Sequence, residues 1–566
     1  MDDLFDAILV VAAVVAAVYF GQYALAASLL STAYSSHDAK RRAENAKRKW
    51  EEGIKDLKRM IKAPDAVRGM VLGRERVSGP IVFADSYGSK LENLKLIIAL
   101  AGHEIDAVET IYFNDLPLTL DANGFTLPGN FNITNQTDYL SEDFDLTAAV
   151  GLTTVTPRSN IPADYGDSNP TGWLYSGSPL AGSVGTYTCM SVHSAISVLD
   201  DTWTMYNNTP TTASFTLPPG YYRLNWKIDY SRPGARVRWK LGAAGQTASA
   251  SMLTDFPTKW TANHKLTNIS YLEVDLFYIA EIYEQVGIPN VSAVVRGAKV
   301  FDWVTSTTAW SDNALKCIAY WLTHPTLGLG SSQANDFIVA EMQDAQNICV
   351  EQVGAGPSIT EDRYTINGAV FSDTPPATVK RQLEEAIAGS IVWSQGRWLI
   401  RPGKFRTATL AITEADVAPG GFKLVPSPSR QSLFNRVIAN YLDPAQGYAS
   451  VGAPEVTSAT YLSEDNGVDA PTEVTFPFVK NYYRAIRLAK YMLVRNRNNL
   501  TISVQLKLTA YDQLIDDTVT VTWPDYGLNA TPFEVKSRSI DFASRTISLL
   551  LTLTGSTVYD WLYTDY

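Results

Sequence analysis

The chain has 566 residues, 46% of them hydrophobic and 19% charged. That is apolar material for about three to four domains of ~150 residues each, and too little charge for a disordered chain. A net charge of -11 excludes a general grip on nucleic-acid phosphate, which needs basic stripes. Cys189, Cys317 and Cys349 lie far apart with no CxxC, and the five histidines (37, 103, 193, 264, 324) form no HExxH. Neither a disulfide framework nor a zinc site is predicted, and no other metal or cofactor.

Residues 8–30, ILVVAAVVAAVYFGQYALAASLL, carry no charge. As a helix they span roughly 35 Å at ~1.5 Å per residue, enough for a bilayer core. The acidic start, MDDLFD, rejects a signal peptide, which wants a basic n-region. Ala12 with Ala16, and Ala13 with Ala17 and Gly21, recur at four-residue spacing. That pattern allows close helix–helix approach, although a plain single-span anchor reads equally well. Residues 38–62 hold ten basic and five acidic side chains, with Ala43, Ala46, Trp50, Ile54, Leu57 and Ile61 on one helical face. The basic excess would keep this amphipathic helix on a cytoplasmic face if the first helix spans.

After Pro64 the pattern turns to short strands. In residues 67–88 apolar and polar positions alternate, with turn signals at Gly73 and Ser78-Gly79-Pro80. The stretch KLIIALAGHEIDAVETIYFNDLPL (95–118) crowds His103, Glu104, Asp106, Glu109 and Asp115 into a segment otherwise built like a buried strand. Either it holds a metal or acid/base site, or it is a bend and a solvated strand edge. The second reading makes 96–101 a core strand, Gly102-His103-Glu104 a bend, Val108, Ile111 and Phe113 packing positions, and Asn114-Asp115 a hairpin tip.

Residues 142–235 are rich in Ser, Thr, Gly, Asn and Tyr and read as an inserted β sandwich. Trp173, Tyr221, Tyr222 and Trp226 are its candidate glycan-binding aromatics, weighed against the commoner role of aromatics as sandwich core. Strands return over 269–303. Ser311 or Asp312 is expected to cap a helix running to Thr323 and ended by Pro325, with His324 in a capping role. A second helix follows, then a third leading into a hairpin that turns at Gln395-Gly396. From about 406 the chain is mostly strands, interrupted by one helix over 481–498, and Asp516-Asp517 marks a turn. No GxSxG, P-loop or GxGxxG sits at a strand–helix junction, so no catalytic residue is predicted.

Several stretches taken together and in order resemble the tail-tip hub proteins of long-tailed phages, the J protein family of lambda-like phages. They are LIIALAGHEIDAVETIYFND, GIPNVSAVVRGAKVFD, WSDNALKCIAYWLTHPTLGLG, IVWSQGRWLIRP and NRVIANYLDPAQGY. The resemblance covers roughly residues 66–566 apart from the insertion. It implies a non-enzymatic, trimeric virion protein at the distal tail tip, assembled in the host cytoplasm. Such a trimer closes the tail tube and opens for DNA delivery. The implied partners are copies of itself, other tail-tip and distal tail proteins, the tape-measure protein, and DNA that passes through the lumen without specific binding.

The implied fold is mainly β with α+β parts. An apolar helix (1–34) and a basic amphipathic helix (35–65) precede a β-rich hub domain (66–300) that carries the insertion. A small α+β domain (301–405) and β-barrel or meander domains with one helix (406–566) complete it. The chain departs from the family in stopping at Tyr566, which implies separate tail fibres or receptor-binding proteins, and in its apolar first helix. Three copies of that helix would plug the lumen or enter the host membrane through Val10, Val14, Ala17, Val18, Phe20, Gly21 and Leu25. The competing readings are a membrane-anchored bacterial surface or binding protein and, third, a cell-wall hydrolase with paired carboxylates in the insertion.

Overall fold

The computed structural model describes residues 67–561, apart from 89–90, 92, 128–130, 280–281, 284–286, 357, 426–431, 499 and the loops joining the strands across 146–220. For the strands between 132 and 232 it gives the backbone course alone. The helices expected within 1–65 lie outside the described residues. What is described is mainly β, with α+β parts, in several packed bodies.

Two antiparallel sheets form the first body. One runs in the order Ala235–Lys240, Ser270–Phe277, Asn93–Ala101, Ile81–Tyr87. The other joins Thr308–Trp310, Val291–Phe301, Ile105–Phe113 and Leu116–Pro117, with Arg74–Val77 also on Val291–Phe301. Their shared core includes Leu96, Ile98, Phe113, Val237, Leu272, Val274 and Val295. The strand expected at 96–101 is there, and Asn114-Asp115 makes the hairpin tip with φ of 47° and 67°, values that Asn and Asp tolerate better than most residues. Val108 and Ile111 differ in parity, yet both face the core. A bulge explains this: Val294 pairs Thr110 while Val295 pairs Val108, so Glu109 is an extra residue that resets the alternation.

The insertion leaves this body after Phe131 and returns at Gly234, whose N–H donates to the Phe131 carbonyl at 3.0 Å. Its long strands Asn132–Asp145 and Tyr221–Pro233 pair antiparallel, and Ser168–Gly177 flanks the second. Thr188–His193, Ile196–Val198 and Trp203–Thr204 extend that sheet, and Thr153–Val155 pairs Phe215–Leu217 separately.

The short strand Gly69–Leu72 pairs with Gly368–Phe371 and links the first body to the next. Its alternation splits it: Val71 enters the first core, while Met70 and Leu72 enter the second. Gly73 follows at φ +63°, and a Cβ there would lie 2.2 Å from the Ile366 carbonyl oxygen, so only glycine fits.

The second core is built by the helices Ala314–Thr323, Val339–Cys349 and Pro376–Ala386 and the hairpin Ser390–Ser394/Arg397–Arg401. It continues through Val437, Phe476 and the helix Tyr482–Arg497. The first of these helices ends at Thr323 as expected, but its cap is Asn313, whose side chain accepts from Lys316 N–H. The two expected caps are otherwise engaged: Ser311 Oγ accepts from Asn313 N–H, and Asp312 accepts from the Asn367 amide. The hairpin turns at Gln395-Gly396, with φ of 53° and 78°.

The third body is one six-stranded sheet. Its order is Leu410–Ile412, Thr518–Trp523, Leu528–Asp541, Thr546–Leu553, Thr501–Leu506, Val417–Val425. It wraps its own core of Ile502, Val504, Val519, Phe533, Val535, Leu549 and Leu551 as a half-barrel.

Candidate functional site: buried ionic joints

The acidic crowd of 95–118 resolves into cross-strand ion pairs. Glu104 pairs Lys299 at 2.8 Å, Asp106 pairs Arg296 at 2.6 Å, Glu109 pairs Arg74 at 2.6 Å, and Asp115 pairs Arg76 at 2.6 Å. Three of these are partly exposed on both sides and each is worth about 0.2–1 kcal/mol. His103 is 3% exposed. Its Nε2 accepts from Val71 N–H at 2.9 Å, and Nδ1 lies 2.7 Å from the Glu104 carbonyl oxygen, to which it donates. Tyr320 and His324 pack edge-on at 5.9 and 6.3 Å between ring centroids. Burial holds the imidazole down to about 4, so it is neutral at pH 7 with both nitrogens committed. It is a structural bend and is not free to act as a base. Among the described residues, no group of three or more His, Cys, Asp or Glu side chains is placed to hold a metal. His324 caps its helix as expected, Nδ1 accepting from Leu327 N–H at 3.1 Å.

Among the described residues several further groups of charges are buried, and three of them tie separate elements together. At the first joint Glu75, from the first body, pairs with Lys480, just before the helix Tyr482–Arg497; their side chains are 2% and 10% exposed. Lys480 also lies 5.6 Å from the centroid of the Tyr448 ring. Burial pulls this ammonium below its ordinary range and Glu75 pushes back. Next along the strand, Arg76 stacks on Tyr112 at 4.0 Å and donates to Ser292 Oγ at 2.9 and 3.1 Å.

At the second joint Glu361 lies between Arg487 at 2.9 Å and Arg484 at 3.3 Å. Arg484 also donates to the Asp362 carbonyl at 2.8 Å and Arg487 to the Arg363 carbonyl at 2.6 Å. The hairpin Gln352–Gly356/Ile359–Asp362 is thereby clamped to the long helix.

At the third joint Lys95 meets Asp255, Glu273 (3.4 Å) and Asp275 (3.1 Å), with Arg238 on Glu273 and Asp275. Tyr87 donates to Asp275 at 3.0 Å. Burial raises the Asp275 carboxyl; for Glu273, burial is outweighed by hydrogen bonds from Ser249 and Ser251, and its carboxyl lies below the ordinary value. The cluster pins the helix Ala250–Asp255 to the first sheet.

Breaking a buried pair on one side costs far more than the pair contributes net, so such joints hold geometry strictly. Sequence reading did not single them out. The available signal was a cation at a position that periodicity gives to the core: Lys95 between Leu94 and Leu96, and Arg484 and Arg487 on the apolar face of a helix. Val10, Val14, Ala17, Val18, Phe20, Gly21 and Leu25 lie outside the described residues. Trp173 pairs with Asn225 in register, in phase with Tyr221, whereas Tyr222 and Trp226 fall in the opposite phase of the same strand. The side chains of all four lie outside what the structure describes.

No protein-family profile matches the chain. It is 24% identical over 290 residues to the baseplate hub protein pb3 of Escherichia phage T5, a match covering 48% of this chain and 30% of that protein. The fold is similar to a chain of the virion of a native gene transfer agent particle, at a TM-score of 0.50 and 12% identity, covering 89% of this chain and 88% of the other. A tail protein from Neisseria meningitidis MC58 aligns over 80% of this chain and 98% of its own at 10% identity, with a TM-score of 0.28. The chain is thus similar in sequence to part of a phage baseplate hub protein and in fold to a chain of a virion.

Proposed function

We propose that this chain is a structural hub protein of a phage-type tail, built into the virion beside other tail proteins. The observation that carries this is the sequence similarity to a baseplate hub protein, joined to a virion-type fold across nearly the whole chain. The buried ionic joints support a structural role, because they tie helix, hairpin and sheet together in fixed positions. Among the described residues, no helix is long and apolar enough to cross a membrane.

The finer reading is a homotrimer at the distal tip that closes the tube, contacts the tape-measure protein and separate fibres, and opens for DNA. The acidic net charge suits a lumen through which DNA slides without being held. We assign Val10, Val14, Ala17, Val18, Phe20, Gly21 and Leu25 to a three-helix plug that releases toward the host membrane. Trp173, Tyr221, Tyr222 and Trp226 are assigned to glycan contact by the insertion.

Immunogold electron microscopy with an antibody against residues 66–566 tests the hub assignment on particles and producing cells. Gold is expected at the distal tail end. Gold confined to cell envelopes, with clean particles, would overturn it in favour of a membrane-anchored surface protein. Deletion of residues 1–34 tests the plug separately: DNA entry at the normal rate from the resulting particles would rule it out.

A further inference from the structure

A cavity of about 40 Å³ lies where the second core meets the half-barrel, lined by Ser390, Arg401, Arg406, Arg495, Asp516, Glu534, Lys536 and Tyr559 among others. That is room for one small ion with a water or two. Four cations and two carboxylates face it. Most are matched. Lys536 pairs Asp516 at 3.3 Å and Glu534 at 2.9 Å, and Arg401 turns outward to Glu341 at 3.0 Å and Asp517 at 3.3 Å. Arg495 donates to the Ala388 carbonyl at 2.7 Å and to the Tyr559 hydroxyl, and Ser390 donates to Asp516.

Arg406 is the exception. Its one hydrogen bond runs from Nη1 to the Pro402 carbonyl at 3.4 Å, while its buried Nη2 has no partner, and the buried Arg401 Nε beside it has none either. A buried guanidinium nitrogen without an acceptor costs on the order of 1–3 kcal/mol, more when charged. A carboxylate partner for Arg406 within ion-pair distance is absent among the described residues.

We propose that this cavity binds a small inorganic anion of chloride size, held chiefly by Arg406 with Arg401 and Arg495. The anion would supply the missing acceptor and offset the repulsion among the three guanidinium groups. It would then act as a removable rivet between the half-barrel, which contributes Asp516, Glu534 and Lys536, and the long helix, which contributes Arg495. The inference does not depend on the tail assignment.

The test compares thermal unfolding of the full chain in sodium chloride and in sodium gluconate, too large for the cavity, at matched ionic strength. Chloride is expected to give a saturable rise of about 2 °C over gluconate, absent in Arg406→Gln. Equal midpoints in the two salts overturn the proposal, as does a chloride effect that Arg406→Gln retains. If that variant does not fold, crystals of the native protein grown with bromide decide. An anomalous peak beside Arg406 supports the site, and a cavity without one refutes it.

Discussion

The buried bend at His103 sets a pH dependence that can be worked out in advance. In the unfolded chain the imidazole titrates near 6.5; in the fold, burial brings it down to about 4. The unfolded state therefore binds more protons throughout this interval, and stability falls as pH falls. The contribution is fully present above pH 6.5 and is lost progressively between 6.5 and 4. Linkage puts the loss at about 2 kcal/mol between pH 8 and pH 5, and about 3 kcal/mol by pH 4. Carboxylates and His324, whose imidazole burial also lowers, titrate nearby. The readout is therefore the difference between wild type and His103→Gln, which can still accept from Val71 N–H. Urea unfolding followed by tryptophan fluorescence, at pH 8 and pH 5, should show wild type losing about 2 kcal/mol more than the variant. Equal losses in the two proteins would refute a buried neutral histidine here.

Lys480→Met should destabilise by about 3–5 kcal/mol because it strands the Glu75 carboxylate in the interior, whereas Glu75→Gln with Lys480→Met should recover more than half of that. A double variant as unstable as the single one, by urea unfolding, would refute the pairing. Lys95→Met leaves Glu273 and Asp275 with Arg238 alone, so a loss of about 3 kcal/mol at pH 7 should shrink as the pH is lowered and the Asp275 carboxyl, which burial already raises, takes up a proton. Thermal scans at pH 7 and at lower pH check it. Gly73→Ala forces a side chain into a left-handed position against the Ile366 carbonyl and should cost at least about 2 kcal/mol, read as a lowered unfolding midpoint.

What was legible in the sequence was local chemistry. The core strand at 96–101, the Asn114-Asp115 and Gln395-Gly396 turns and the helix near 481–498 each depend on neighbours a few residues away. The bend reading of His103 could be reached because an apolar run on one side and alternation on the other leave little else for it to be. What was hidden depends on distant partners. Glu75 and Lys480 are 405 positions apart, and nothing near either names the other. The cap moved from Ser311 or Asp312 to Asn313 because the choice among three good capping residues is made by what else each can reach. The bulge at Glu109 was invisible because it is a property of two strands meeting, not of one strand's alternation.

The neck between Phe131 and Gly234 has a consequence for how such a chain can change. The Gly234 N–H donates to Phe131, so the polypeptide departs and returns at one spot on the first body. About a hundred residues can then be lengthened, exchanged or removed while the sheets on either side keep their strand order. The close fit at Gly234, where a Cβ would lie 2.8 Å from the Phe131 carbonyl oxygen, makes that spot a fixed socket. Whatever is spliced in must begin and end at the same width, which makes the position a ready place to graft a tag or a foreign recognition module onto an otherwise unaltered chain.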